Sequence, residues 1–198
     1  MRSREVAKET MPETYPPSPT ASLILDAQAI ERALRRMAHE IIEANPDLEK
    51  VAIAGIPSRG VEVAKRLVHH IEQIEKVRLE LGIVDTSMHR DDIGLRKKIA
   101  TIQITQLPDE LEDRTIVLVD DVLMSGRTTR AAIDALLSFG RPDRIQLAVL
   151  IDRGHRELPI RPDYVAKNLP TSRLERVYVR FQNVDGVPDS VWLDRTQI

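Results

Sequence analysis

The stretch Ile116-Val-Leu-Val-Asp-Asp-Val-Leu-Met-Ser-Gly-Arg-Thr128 decides the fold of this chain. The apolar, largely β-branched run from Thr115 to Val119 reads as a buried strand. It ends in two adjacent carboxylates, Asp120 and Asp121. A short loop with one glycine, Gly126, then opens a helix from about Arg127 to Phe139. In open α/β sheets, ligands bind outside the carboxyl ends of the strands. A helix N-terminus beside a turn of N–H groups is a natural cradle for phosphate. Ser125, Thr128 and Thr129 add hydroxyl donors, and Gly126 permits close backbone approach. Asp120 and Asp121 repel phosphate but suit sugar hydroxyls, or magnesium through water. An anion cup beside a diol acceptor matches a ribose 5-phosphate. A P-loop is excluded, because no Gly-x-x-x-x-Gly-Lys-Ser/Thr occurs.

Outward from this segment the pattern is α/β. Val51 to Ile56 reads as a strand and Gly60 to Ile74 as a helix. Arg78 to Val84 and Arg144 to Ile151 read as further strands. A polar stretch from about Ser87 to Asp113 reads as a long loop. Continuous apolar strands alternating with helices predict a parallel sheet with helices on both faces. The first element is predicted as a helix from an Asp26 cap to Ala44. Ile30, Leu34, Met37 and Ile41 fall on one stripe at about 100° per residue. Arg32, Arg35, Arg36 and His39 cluster on the opposite side, so Arg36 and His39 should be replaceable without harm to the core. Arg176 to Phe181 and Val191 to Leu193 read as short strands of a small hood over the sheet edge.

Residues 1–22 are polar and carry Pro12, Pro16, Pro17 and Pro19, which predicts a disordered extension. Residues 23–198 then form one domain with its hood, and deleting the extension should leave stability nearly unchanged. An apolar fraction of 42% suffices for a core, and with aromatics at 3% that core must be aliphatic. The absence of cysteine excludes disulfides, thiolate metal sites and cysteine nucleophiles. A net charge of −2 excludes a globally basic nucleic-acid binder. No apolar run approaches the roughly 18 residues of a membrane span, and the charged N-terminus is no secretory signal. A cytoplasmic protein is expected.

Two further segments extend the anion chemistry. Gly55-Ile-Pro-Ser-Arg-Gly60 also joins a strand end to a helix start. Alone it reads as an ordinary turn, but beside the first loop it reads as a second anion nest. There Arg59 offers charge-assisted bonds, each worth roughly 1.5–3 kcal/mol. Pro57 raises the question of a cis Ile56–Pro57 bond, although trans is the majority state. The third segment is Ser87-Met-His-Arg-Asp-Asp92, whose Arg90 suits a closing loop. Arg96, Lys97 and Lys98 beyond it read equally well as a solvated charged loop.

The pattern from Ile116 to Thr128 resembles the phosphoribosyl-pyrophosphate signature of type I phosphoribosyltransferases, with Met124 in place of the usual small residue. Leu25-Asp-Ala-Gln-Ala-Ile30, Arg36-Met-Ala-His-Glu40, Asp152-Arg-Gly-His-Arg-Glu-Leu-Pro159 and Lys167-Asn-Leu-Pro-Thr-Ser172 narrow this further. Over about residues 23–180 the chain resembles the family of bifunctional pyrimidine-operon regulators with uracil phosphoribosyltransferase activity. The resemblance implies the reaction of uracil with phosphoribosyl pyrophosphate to give UMP and pyrophosphate. It also implies attenuation through pyrimidine-operon leader RNA in response to uridine nucleotides such as UMP and UTP. A homodimer or homotetramer, and magnesium carried by the substrate rather than held directly, are implied as well.

Carried onto this sequence, Ser58 and Arg59 match the pyrophosphate loop, and Arg90 the flexible loop. Asp120, Asp121, Val122, Leu123, Met124, Ser125, Gly126, Arg127 and Thr128 match the ribose-phosphate site. Arg153 and Val177 match positions lining the nucleotide. The catalytic positions implied are Asp120, Asp121, Arg59 and Arg90. Those implied for RNA are Arg35, Arg36, His39, Ser58, His155, Arg156, Arg161 and Lys167, with Arg35 and Ser58 standing where threonine is usual. Lys and Arg outnumber Asp and Glu between Arg141 and Arg176, which partly supports a basic surface. Two other readings stay open: an RNA-binding nucleotide sensor with little catalysis, and a transferase for another base such as hypoxanthine.

Overall fold

The computed structural model describes residues 16–86 and 111–195. Its core is a five-stranded, wholly parallel sheet of β2 (Val51–Gly55), β3 (Glu80–Ile83), β4 (Thr115–Leu123), β5 (Arg144–Asp152) and β6 (Tyr164–Asn168), in the order β3-β2-β4-β5-β6. Alternation along the strands sends neighbouring side chains to opposite faces. Ile53, Val117, Val119, Ala148 and Leu150 pack with α1 (Ala27–Ala44) and α2 (Arg59–Glu75). Ala52, Ala54, Ile116, Leu118, Leu147 and Val149 pack with α3 (Arg127–Leu137). Burial on both faces is why these strands are continuously apolar.

The first helix forms as its periodicity predicts. Asp26 accepts a hydrogen bond from the Ala29 amide at 2.7 Å, and Ile30, Leu34, Met37 and Ile41 are fully buried. Removing one such side chain costs about 2–5 kcal/mol. The helix stops at Asn45, whose side chain bonds Ile41 O, Gln146 and Tyr164 within the core. Arg32, Arg35, Arg36 and His39 are exposed, as the pattern implies.

The hood is a second sheet, antiparallel, in the order β1-β8-β7: β1 (Ser22–Asp26), β7 (Arg176–Arg180) and β8 (Ser190–Asp194). Its short helix α4 (Gln182–Asp185) links β7 to β8. Several expectations are corrected here. The first element is the strand β1, not the helix; it forms by pairing with β8, near the far end of the chain. β6 and α4 were not anticipated. β4 continues through Asp120 and Asp121 to Leu123, so the acid pair lies within the strand and not beyond it. Ile56–Pro57 is in the majority trans state, and the cis peptide among the described residues is the next one, Pro57–Ser58. The expected loop over 87–113, with Arg90 and Arg96 to Lys98, lies outside the described residues up to 110.

Contacts with the hood are also made before the expected boundary at residue 23. Ser18 Oγ and Thr20 Oγ1 donate to Asp194 Oδ1 at 2.9 and 3.4 Å, and Ser22 opens β1. Residues 1–15 lie outside the described part. Deleting residues 1–15 and deleting residues 1–21 should therefore differ. The second deletion removes two hydroxyl–carboxylate bonds, about 2 kcal/mol together, and should lower the melting temperature by about 5 °C relative to the first. Equal melting temperatures would contradict the tie between this segment and β8.

Candidate functional site

Three strand-to-helix or strand-to-strand turns meet at the carboxyl ends of β2, β4 and β5. The first, residues 55–60, is pressed onto β4. Ile56 N donates to Val119 O at 2.9 Å. A Cβ on Gly60 would stand 2.6 Å from Val119 O and 3.1 Å from Asp120 Cα. On Gly55 it would stand 2.5 Å from Val61 Cα. Only glycine permits this approach, which brings the 55–60 turn beside the acid pair.

Asp120 is buried, and its Oδ1 accepts the Asp121 amide at 2.9 Å, while Asp121 stays half-exposed. After Leu123 the chain turns through Met124, Ser125 and Gly126, with Gly126 left-handed at φ 89° as the cap of α3. The first-turn amides of a helix have no partner inside it, and the dipole there favours an anion. Arg127 N bonds Ser125 Oγ at 3.3 Å. The Thr129 hydroxyl is buried with no hydrogen-bond partner, an orphaned donor in the first turn of α3. Such an atom fits a site completed by a ligand or water.

The third turn, residues 153–158, holds the other side of the 123–126 loop. Leu123 O accepts from Arg153 N at 3.1 Å, and Ser125 O from the amides of Glu157 and Leu158 at 3.0 and 3.1 Å. Arg156 bonds Met124 O at 2.9 Å, Ile160 O at 2.9 Å and Asp152 Oδ2 at 2.5 Å. Successive carbonyls of the loop are thus drawn to one side by a single neighbouring segment.

Several sequence-assigned residues have other work in the fold. Arg153 is buried, and it bonds Thr171 Oγ1, Ser172 O and Glu175 O. Burial lowers its pKa, an effect opposed by the charge of Glu175. His155, at φ 64°, pairs its Nε2 with Thr171 O at 2.6 Å. Arg36 bonds Glu40 and reaches the carbonyls of Val165 and Ala166 at 3.1 and 2.7 Å, tying α1 to β6. The expectation that Arg36 is dispensable to the fold is corrected accordingly. Arg35, His39, Ser58 and Arg161 are exposed, and Lys167 on β6 is half-exposed. Val177 and Val122 both pack against the α1/α2-side core. Arg59 does not stand alone: Asp185 of the hood grips it at 2.5 and 3.3 Å. Nearby, Arg66 pairs with Asp189. Burial raises the Asp189 carboxyl, but the bonds from Arg66 and the Gln182 amide outweigh it and leave it below the usual range.

The hood partners Asp185 and Asp189 were missed by sequence reasoning. The Asp185-Gly186 turn signal marks a bend, but nothing local reports a partner 126 residues away. Asp152 was also left unassigned, although it accepts both the Gly154 amide and Arg156.

The profile of the phosphoribosyl transferase domain family matches residues 20–178. Bifunctional protein PyrR of Roseiflexus sp. (strain RS-1) is 54% identical over 173 residues, 87% of this chain and 94% of the relative. Bifunctional protein PyrR of Brevibacillus brevis is 55% identical over 164 residues, 83% and 92% of the two chains. Among solved structures, the HGPRT-ase of Leishmania tarentolae in complex with GMP superposes with a TM-score of 0.65 at 16% identity, covering 90% of this chain and 99% of that one. The hypoxanthine phosphoribosyltransferase of Trypanosoma cruzi gives 0.67 at 13% identity, with 89% and 97% covered. At such identities the likeness carries the fold alone.

The close seat of Gly60 generates a direct test. Gly60→Ala should destabilise the protein by about 1–3 kcal/mol, since neither Val119 O nor Asp120 Cα can give way cheaply. Urea denaturation measures this, and an unchanged midpoint would mean that the turn does not seat on β4 as described.

Proposed function

Because the chain belongs to the phosphoribosyl transferase domain family, among relatives named bifunctional protein PyrR, we propose a regulator of pyrimidine operons that is also a uracil phosphoribosyltransferase. The observation that supports the transferase reading is the meeting of the 55–60 turn, the Asp120–Asp121 pair and the first turn of α3. An acid pair stands beside two turns suited to anions, the layout needed by a sugar carrying phosphate at one end and pyrophosphate at the other.

In the proposed reaction, uracil N1 bonds to the anomeric carbon, the bond from that carbon to pyrophosphate breaks, and the N1 proton is released. The amides of residues 124–128, with the hydroxyls of Ser125 and Thr128, hold the 5-phosphate. Asp120 and Asp121 take the ribose hydroxyls and contribute negative potential beside the positive charge that develops on the sugar. Ser58 and Arg59 receive the pyrophosphate, and Arg90 closes over it. The segment from Ile151 to Gly154, held by the bonds of Arg153, flanks the base together with Val177.

Buried Asp120 and half-exposed Asp121 fit magnesium arriving on substrate oxygens, with Asp121 reaching it through water. Bound in this way, magnesium would neutralise the leaving pyrophosphate.

The RNA surface we propose centres on Arg35, His39, Arg161 and Lys167, with Ser58 at the loop edge. Arg36, His155 and Arg156 shape this surface rather than reach from it, because backbone carbonyls occupy them. Among the described residues no helix is long and apolar enough to cross a membrane. We place the protein in the cytoplasm as a homodimer or homotetramer, responding to UMP and UTP.

UMP formation from uracil and phosphoribosyl pyrophosphate with magnesium tests the catalytic half. Asp121→Asn should lower kcat/KM at least about tenfold. Binding of phosphoribosyl pyrophosphate without turnover in the wild type would favour a sensor instead, and turnover with hypoxanthine but not uracil would reassign the base.

The regulatory half is tested by Arg35→Ala with His39→Ala, two exposed residues outside the strand-end turns. Affinity for pyrimidine-operon leader RNA should fall about tenfold, and the slope of log affinity against log salt should flatten by about 0.7 per lost phosphate contact. UMP synthesis should persist. Unchanged RNA affinity would remove α1 from the RNA surface.

A further inference from the structure

One face of α2 is tied to the hood by three side chains, of which the proposed chemistry uses only Arg59. Arg59, Glu62 and Arg66 stand three and four residues apart, hence on one side of the helix. Arg66 pairs with Asp189 and lies 4.7 Å from the centre of the Phe181 ring. Asn183 Nδ2 donates to Glu62 Oε1 at 3.1 Å, and Arg66 Nε to the same atom at 3.0 Å. At the helix start, Arg59 Nη2 and Nε grip Asp185 Oδ1 and Oδ2 at 2.5 and 3.3 Å. Asp185 is itself anchored, because its Oδ2 accepts the Phe181 amide at 2.8 Å.

We propose that Asp185 is a positioning residue, which fixes the plane of the Arg59 guanidinium at the 55–60 turn and so prepares the pyrophosphate side of the site. The proposal rests on the reading of that turn as the pyrophosphate loop. A two-toothed carboxylate–guanidinium pair sets orientation as well as distance. The pair is well shielded, with Asp185 only 12% exposed and Arg59 29%. A carboxylate bonded to backbone cannot follow a swinging arginine, so the contact holds Arg59 in one rotamer. The neighbouring Arg66–Asp189 and Glu62–Asn183 contacts keep α4 in place from the next turns of the same helix face. Asp185 thereby acts through Arg59, as an outer partner orients the group that meets the ligand.

The opposite role would be a carboxylate that withholds Arg59 from the substrate. The two roles give opposite signs. The test is the initial rate of UMP formation with phosphoribosyl pyrophosphate varied at saturating uracil and magnesium. It compares wild type, Asp185→Asn, Asp185→Glu, Arg59→Ala and the double variant Asp185→Asn/Arg59→Ala, each checked for an unchanged far-UV spectrum. Asp185→Asn should raise the KM for phosphoribosyl pyrophosphate about tenfold while kcat and the KM for uracil stay within about twofold. The double variant should be no worse than Arg59→Ala. Asp185→Glu, which keeps the charge at a different reach, should fall between wild type and Asp185→Asn, and it carries the test if Asp185→Asn does not fold.

An unchanged or lower KM in a folded Asp185 variant would overturn the proposal. So would losses that multiply in the double variant. Absence of UMP synthesis by the wild type would instead sink the transferase reading. Calorimetric titration of phosphoribosyl pyrophosphate into the same proteins would then decide the role of Asp185, with about tenfold weaker binding expected for Asp185→Asn.

Discussion

The site depends on how closely the turn after β2 sits on the end of β4. At Gly60 there is no room for a Cβ against Val119 O, and at Gly55 none against the backbone of Val61. That contact sets the start of α2 beside the acid pair. Two helix N-termini, each favouring negative charge, then flank Asp120 and Asp121. The parallel sheet makes this possible, because all five strands deliver their carboxyl ends to one edge. Loosening the seat would move the 55–60 turn away from the acid pair.

Arginine does most of the holding at that edge. Arg156 joins the 152–160 segment to Met124, Arg153 gathers the 171–175 loop, and Arg36 ties α1 to β6. A guanidinium has donors in a rigid fork, so one residue can saturate several carbonyls that would otherwise be unpaired. This changes how basic residues near a phosphate or RNA site should be interpreted. Replacing Arg156 or Arg36 would strand carbonyls and move loops, so a loss of RNA binding in such a variant would not identify a contact. The exposed residues Arg35 and His39 are cleaner probes.

The parallel core was legible because its strands are apolar on both faces and its helices carry one stripe each. The α1 boundaries came from Asp26 and from the end of the stripe at Ile41. The strand–Asp–Asp–loop–helix segment was legible for the same reason, since its chemistry is contiguous in the chain. What escaped depends on distant partners. β1 is ordered by pairing with a strand at the far end of the chain, and β6 joins the parallel sheet only at its edge, beside β5. The grip of Asp185 on Arg59 and the contact of Ser18 with Asp194 join residues more than a hundred positions apart. Single-sequence patterns carry no trace of such partners. The acid pair was misplaced relative to its strand because Asp120 and Asp121 have low strand propensity, which the pairing of β4 with β5 overrides.

The central claim is that the turns at the ends of β2 and β4 form one site for phosphoribosyl pyrophosphate. A crystal structure with that compound and magnesium bound tests it most directly. The expected result has the 5-phosphate against the first turn of α3, the ribose hydroxyls on Asp120 and Asp121, and the pyrophosphate along residues 56–60. Electron density for the ligand at any other place, or with its 5-phosphate away from α3, would contradict the account.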